Sequence, residues 1–144
     1  MVTIEVNEEY SMSKEAVWEK ITDHASYKSY AALQDSLLVK EGESEKNGLK
    51  AVRKIVPNDK MYFLEEITAF DKYARFEYFI FETSAPIKHH GGVVRLEETE
   101  SGCKINWVSK FDMAEGTRPA MERAIKSSST KMFQEILVGV KKTL

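Results

Sequence analysis

The stretch from Thr117 to Leu144 constrains the fold more than any other, because it reads as one long amphipathic helix that needs a surface to close. Met121, Ile125, Met132, Ile136 and Val140 recur at helical steps, with Ala124, Phe133, Leu137 and Leu144 beside them, and together they make one wide apolar face. Pro119 fits a first turn, where its missing N–H is harmless, and Lys141 and Lys142 sit at the negative end of the helix dipole. At 1.5 Å per residue such a helix runs roughly 40 Å, longer than packing on one small sheet requires. Half of it is expected to be core and half a lid.

The 144 residues are expected to form a single domain over 1–144. With 21 basic against 23 acidic residues there is no electrostatic footprint for nucleic acid. No apolar run approaches the length of a membrane span, and Glu5, Glu8 and Glu9 stand where a signal peptide would be basic and then apolar. A cytoplasmic location is expected. Cys103 is the lone cysteine, which excludes an intrachain disulfide and a thiolate metal cluster.

Val2 to Tyr10 alternates as a half-buried strand does. Ser13 suits an N-cap for a short helix whose face is Val17, Trp18 and Ile21, and Asp23 can cap a second one through Tyr27 and Tyr30. From Asp35 onward, brief turn signals (Asn47-Gly48, Pro57-Asn58-Asp59, Asp71-Lys72, Ser84-Ala85-Pro86, Ser101-Gly102) separate strands near 34–42, 48–56, 61–70, 74–83, 87–99 and 103–112. Connections this short allow only antiparallel neighbours. The expected architecture is α+β, ordered β-α-α-β-β-β-β-β-β-α: a seven-stranded curved antiparallel sheet, two short helices and a long C-terminal helix.

Register assigns the faces, since a one-residue slip reverses a strand. A two-residue loop at Ser101-Gly102 sets Leu96 opposite Trp107 and turns Ile105, Trp107 and Phe111 inward. By the same parity His90 and Gly92 point inward and His89 outward. A two-residue loop at Asn58-Asp59 places Arg53 and Glu66 on one face, and a three-residue loop after the next strand brings Glu66 opposite Tyr78. The other face holds Val52, Phe63 and Ile67, but Lys50, Lys54 and Glu65 argue that it is wet.

Four segments, in order, resemble one known group. "SKEAVWEKITDHASYKSY" (13–30), "NGLKAVRKIV" (47–56), "EEITAFDKYARFEYFIFETSAP" (65–86) and "SGCKINWVSKF" (101–111) are similar to the corresponding segments of the SRPBCC superfamily, the START/Bet v 1-like helix-grip proteins that include the polyketide cyclase/dehydrase-like family. Lys14 replaces the proline usual at the start of the first helix. The resemblance implies a deep cavity between the sheet and the long helix that takes up an apolar or amphipathic small molecule. Arg53, Glu66 and Tyr78 would be its polar positions and Trp107 a wall. It implies no single reaction, since members include cyclases, lipid carriers, receptors and chaperone activators.

From the residues themselves, Met121, Ile125 and Met132 on the lid half of the helix are candidate ligand contacts. Glu66 and His90 are the candidate acid/base groups, and Arg53 would stabilise an enolate oxygen. His89 and His90 are adjacent on a strand and point to opposite faces, so they cannot share a metal ion. No metal site or cofactor is implied, and the sequence leaves room for a homodimer. Three functions follow: binding of a small hydrophobic ligand such as a lipid, polyketide or aromatic; a cyclase, aromatase or dehydratase; or a co-chaperone domain with a filled core.

Overall fold

A computed structural model describes all residues, Met1–Leu144. Strand β1 (Val2–Tyr10) leads into α1 (Lys14–Ile21) and a short 3-10 helix (His24–Ser29); six strands follow, β2 (Asp35–Lys40), β3 (Val52–Asn58), β4 (Met61–Asp71), β5 (Arg75–Thr83), β6 (Ile87–Glu98) and β7 (Cys103–Met113), and then α2 (Pro119–Lys142). The seven strands form one antiparallel sheet in the order β1-β7-β6-β5-β4-β3-β2. This is the expected helix-grip architecture. The Ser13 hydroxyl accepts the Ala16 N–H at 3.2 Å and caps α1. Trp18 carries α1 onto the sheet, its ring 5.3 Å from that of Phe70 and 5.9 Å from that of Phe76.

The two halves of α2 are held very unequally. In the C-terminal half Phe133, Ile136, Leu137 and Val140 are buried, and the Tyr10 hydroxyl donates to the Leu137 carbonyl at 2.7 Å. Each such side chain contributes roughly 1.5–3 kcal/mol of burial. Gly139 lets the helix meet the Tyr30 backbone directly, since a Cβ there would fall 2.3 Å from the Tyr30 carbonyl oxygen. In the N-terminal half only Ile125 is buried, and Pro119 to Ala124 are exposed. Between the halves, Ser128 and Thr130 bond back to the carbonyls of Ile125 and Lys126, at 3.3 and 2.7 Å. Such back-bonding weakens and bends a helix.

Four registers differ from expectation. In β4–β5 an irregularity between Ile67 and Ala69 pairs Tyr78 with Ile67 and Glu66 with Phe79, so Glu66 is not opposite Tyr78. The β6–β7 loop is longer, with Glu98 paired to Cys103, so pairing shifts by two residues and the inward faces of Leu96, Ile105 and Trp107 survive. The β3–β4 turn falls at Asp59-Lys60, and an irregularity between Ile55 and Asn58 sets Arg53 opposite Glu65. Pro57 sits in that irregularity, where a residue without an N–H interrupts the ladder. This one-residue slip reverses β4: Phe63, Glu65 and Ile67 are buried, and Glu66 faces away from α2. A bulge between His89 and Gly91, with Gly91 at φ +125°, reverses the outer end of β6.

Candidate functional site

Between the sheet and the lid half of α2 lies a chamber whose 17 lining residues include 12 hydrophobic ones. Ile4, Ile55, Phe63, Ile80, Ile87 and Phe111 come from the strands, and Ile125, Ser129, Met132 and Phe133 from α2. The Phe133 ring stacks on Trp107 at 4.0 Å and closes the roof. The free space within it is about 40 Å³, enough for roughly one water molecule. The deep cavity expected from the sequence is thus mostly filled in this state. Beside it runs an open groove of about 250 Å³ between Ala31 to Leu33, Pro57-Asn58 and the Ser128–Glu135 stretch of α2. Phe63, Ser129 and Met132 line both spaces, and so form the partition between them.

A polar cluster closes the sheet end of the chamber. The Arg53 guanidinium, 1 % exposed, donates through one terminal nitrogen to Glu65 Oε1. Its centre lies 5.3 Å from the Phe76 ring and 5.7 Å from the Tyr78 ring. Its Nε and other terminal nitrogen have no oxygen partner. Burial pulls the Arg53 pKa down, but the Glu65 charge overrides this and leaves it raised. Burial pushes the Glu65 carboxyl up, with Arg53 opposing. His24 lies 3.7 Å from Glu65 Oε1 through Nδ1, while its Nε2 lies 3.2 Å from the Lys54 carbonyl oxygen. That carbonyl can only accept, so Nε2 carries the hydrogen and Nδ1 is bare. Burial and then Arg53 hold the His24 pKa well below the usual histidine value.

A second polar chain runs along the opposite wall. Trp107 Nε1 donates to the Tyr78 hydroxyl at 2.9 Å, and the Tyr78 ring stacks on His89 at 5.5 Å. His89 Nδ1 accepts the Ile80 N–H at 3.0 Å, which places its hydrogen on Nε2, 2.9 Å from Ser109 Oγ. The imidazole bridges β5 and β6 where their ladder has ended at Tyr78 and Gly92. Burial, then the neighbouring His90, lowers the His89 pKa to about 4.

Unfolded histidine titrates near 6.5, so from about pH 6.5 down to 4 the unfolded chain takes up a proton that native His89 refuses, and stability falls by up to about 3 kcal/mol. His24 acts in the same direction, while Glu65, whose pKa is raised, acts in the opposite one. In urea titrations at pH 7 and pH 4.5, wild type is expected to lose about 2 kcal/mol more than His89→Asn, which keeps an acceptor for Ile80 and does not titrate. Equal losses would remove His89 from this account.

Of the residues singled out in the sequence, Tyr78, Trp107, Ile125 and Met132 line the chamber. Arg53 is buried directly behind it, paired with Glu65. Three stand elsewhere. Glu66 is on the outer face of β4, Met121 is 48 % exposed, and His90 is at the surface with Nε2 2.6 Å from Asp112 Oδ2. The residues missed are Glu65, His89 and His24. Pro57 signalled the slip that brings Glu65 inward, and Gly91-Gly92 signalled the bulge that exchanges the two histidines. His24 carried no signal, since a short 3-10 segment has no hydrophobic period to read.

The described residues hold no grouping of histidine, cysteine and carboxylates that could bind a metal ion, and no helix is long and apolar enough to cross a membrane. The family model described as "Polyketide cyclase / dehydrase and lipid transport" matches residues 1–144. Among solved structures, the chain is similar to the XoxI protein of Bacillus cereus (18% identity, 99% of this chain and 95% of that one, TM-score 0.74). It is likewise similar to a Thermus thermophilus protein (14%, 98% and 95%, TM-score 0.79) and to Ara h 8.0201 (21%, 96% and 97%, TM-score 0.67). At these identities the likeness establishes the fold. No curated protein matches the sequence.

Proposed function

Since the chain belongs to the polyketide cyclase / dehydrase and lipid transport family of the SRPBCC superfamily, we propose that it binds a small hydrophobic or amphipathic molecule between the sheet and α2. The observation that carries this reading is the Arg53–Glu65–His24 cluster, buried at the end of an apolar chamber. A packed core is as stable or more so with apolar residues in place of a buried ion pair. A site that must orient a ligand has a use for one.

Size sets the condition. A free space of 40 Å³ admits no organic ligand, and the groove beside it offers about 250 Å³. Joined by a displacement of Met132 and Phe63, the two reach the lower end of the range for ligand sites, roughly 300 Å³. The weakly anchored half of α2 carries Met132's neighbours, and methionine side chains adapt at little expense. Ligand uptake therefore proceeds by swinging this half of the helix and turning Met132 aside.

The neutral probe N-phenyl-1-naphthylamine tests this. It is expected to quench tryptophan fluorescence saturably at one site per chain. Met132→Trp, which thickens the partition, is expected to weaken binding at least about tenfold, the order of one lost hydrophobic pocket contact. No saturable binding, or binding indifferent to Met132→Trp, contradicts the proposal.

Glu65 favours a second reading. A buried carboxylate, paired with Arg53 through one oxygen and with its other oxygen unbonded, whose pKa burial raises, has the form of a general base, so a cyclase or dehydratase reaction on the bound ligand rests on Glu65. Turnover of a candidate substrate that persists in Glu65→Gln would exclude it. The filled interior is what a co-chaperone or partner-binding domain would have, but such a core gives the buried charges no role.

A further inference from the structure

The chamber's polar end discriminates among ligand head groups through atoms that already lack partners. His24 is 1 % exposed, lines the chamber, and has its Nδ1 bare and without a hydrogen-bond partner. Glu65 also lines the chamber, and Arg53 occupies only its Oε1. Both atoms are acceptors. The cationic donors that would welcome an anion are on Arg53, which does not line the chamber and whose guanidinium lies against the Phe76 and Tyr78 rings; the Tyr78 and Ser109 hydroxyls on the opposite wall are neutral.

We infer that this end recognises a hydrogen-bond donor, so that the ligand is an apolar, largely aromatic molecule ending in a hydroxyl group, and that carboxylate-ended ligands such as fatty acids are refused. The inference rests on the ligand-binding reading above and adds the class of head group. A hydroxyl placed between Glu65 Oε2 and His24 Nδ1 satisfies one of the two acceptors, at a point where an unmet buried acceptor is unfavourable. A carboxylate brings two further acceptors and a charge of the same sign as Glu65. The aromatic preference comes from the walls, where Trp107, Phe133 and Tyr78 present ring faces and edges. The depressed His24 pKa agrees with this, because the imidazole stays an acceptor throughout the neutral range.

Three probes with one body and different heads separate the outcomes: 4-hexylphenol, 4-hexylanisole and 4-hexylbenzoate, titrated into the wild-type protein by calorimetry at pH 7. The phenol is expected to bind at least about tenfold tighter than the anisole, which cannot donate, and on the order of 100-fold tighter than the benzoate. His24→Phe, which keeps a ring and removes the acceptor, is expected to narrow the phenol-to-anisole ratio severalfold. Equal binding of phenol and anisole overturns the inference while leaving a hydrophobic site intact. Tightest binding of the benzoate overturns it in favour of Arg53 as the reader. If none of the three binds, the ligand-binding reading fails and the head-group inference with it.

Discussion

Glu65→Ala is expected to destabilise the fold by about 3–5 kcal/mol, because it leaves the Arg53 charge buried with no counter-charge. For a chain of this size that is a fall in melting midpoint of roughly 10–20 °C. Arg53 is 1 % exposed and cannot reach water without moving β3 or the rings of Phe76 and Tyr78, which already surround it. The double substitution Arg53→Met with Glu65→Leu is expected to behave in the opposite way. It removes both charges and refills the space, and buried pairs replaced like this are neutral or stabilising by about 1–4 kcal/mol. Thermal and urea unfolding of the three proteins measure this contrast. If the single and double variants lose stability equally, the pair is a structural requirement and its explanation as a ligand-facing device is lost.

Phe133→Ala is expected to cost about 3–5 kcal/mol, the usual range for truncating a buried aromatic side chain. Phe133 is the residue on which the roof depends, 8 % exposed and stacked on Trp107 at the junction of the anchored and overhanging halves of α2. Its removal opens the chamber from above without touching the polar end. The hole is lined by apolar groups, so a neutral aromatic molecule is expected to fill it and restore stability in proportion to its concentration over its dissociation constant, about 2.7 kcal/mol at a hundredfold excess. Melting the variant with and without indole or 4-hexylphenol provides the measurement. A variant that loses the full amount and recovers nothing with ligand would mean that the lid half collapses into the gap.

The architecture was legible because it rests on long-range patterns: alternation in β1, turn chemistry between every later pair of strands, and the helical period from Pro119 to Lys142. Faces were legible wherever a misjudged loop length was even. The β6–β7 pairing moved by two residues and Trp107 still faced inward. They were lost where the shift was odd. One extra residue near Pro57 exchanged Glu66 for Glu65, and one at His90 exchanged the two histidines. Both errors moved a charged or titratable residue across the sheet, so the candidate site suffered more than the fold did. Cavity size was not legible at all, since it depends on how Phe133 and Met132 settle against Trp107 and Phe63, which no spacing in the chain encodes.

The central claim is that an apolar ligand enters the chamber by displacing Met132 and the loosely held half of α2. Intermolecular nuclear Overhauser effects from bound 4-hexylphenol to the assigned protein test it most directly. The account predicts cross-peaks to the Met132 methyl, the Ile125 methyls and the Trp107 indole, with the phenol ring nearest His24. Cross-peaks confined to the outer surface, where Phe79 and Phe81 are 43 % and 51 % exposed, would contradict it.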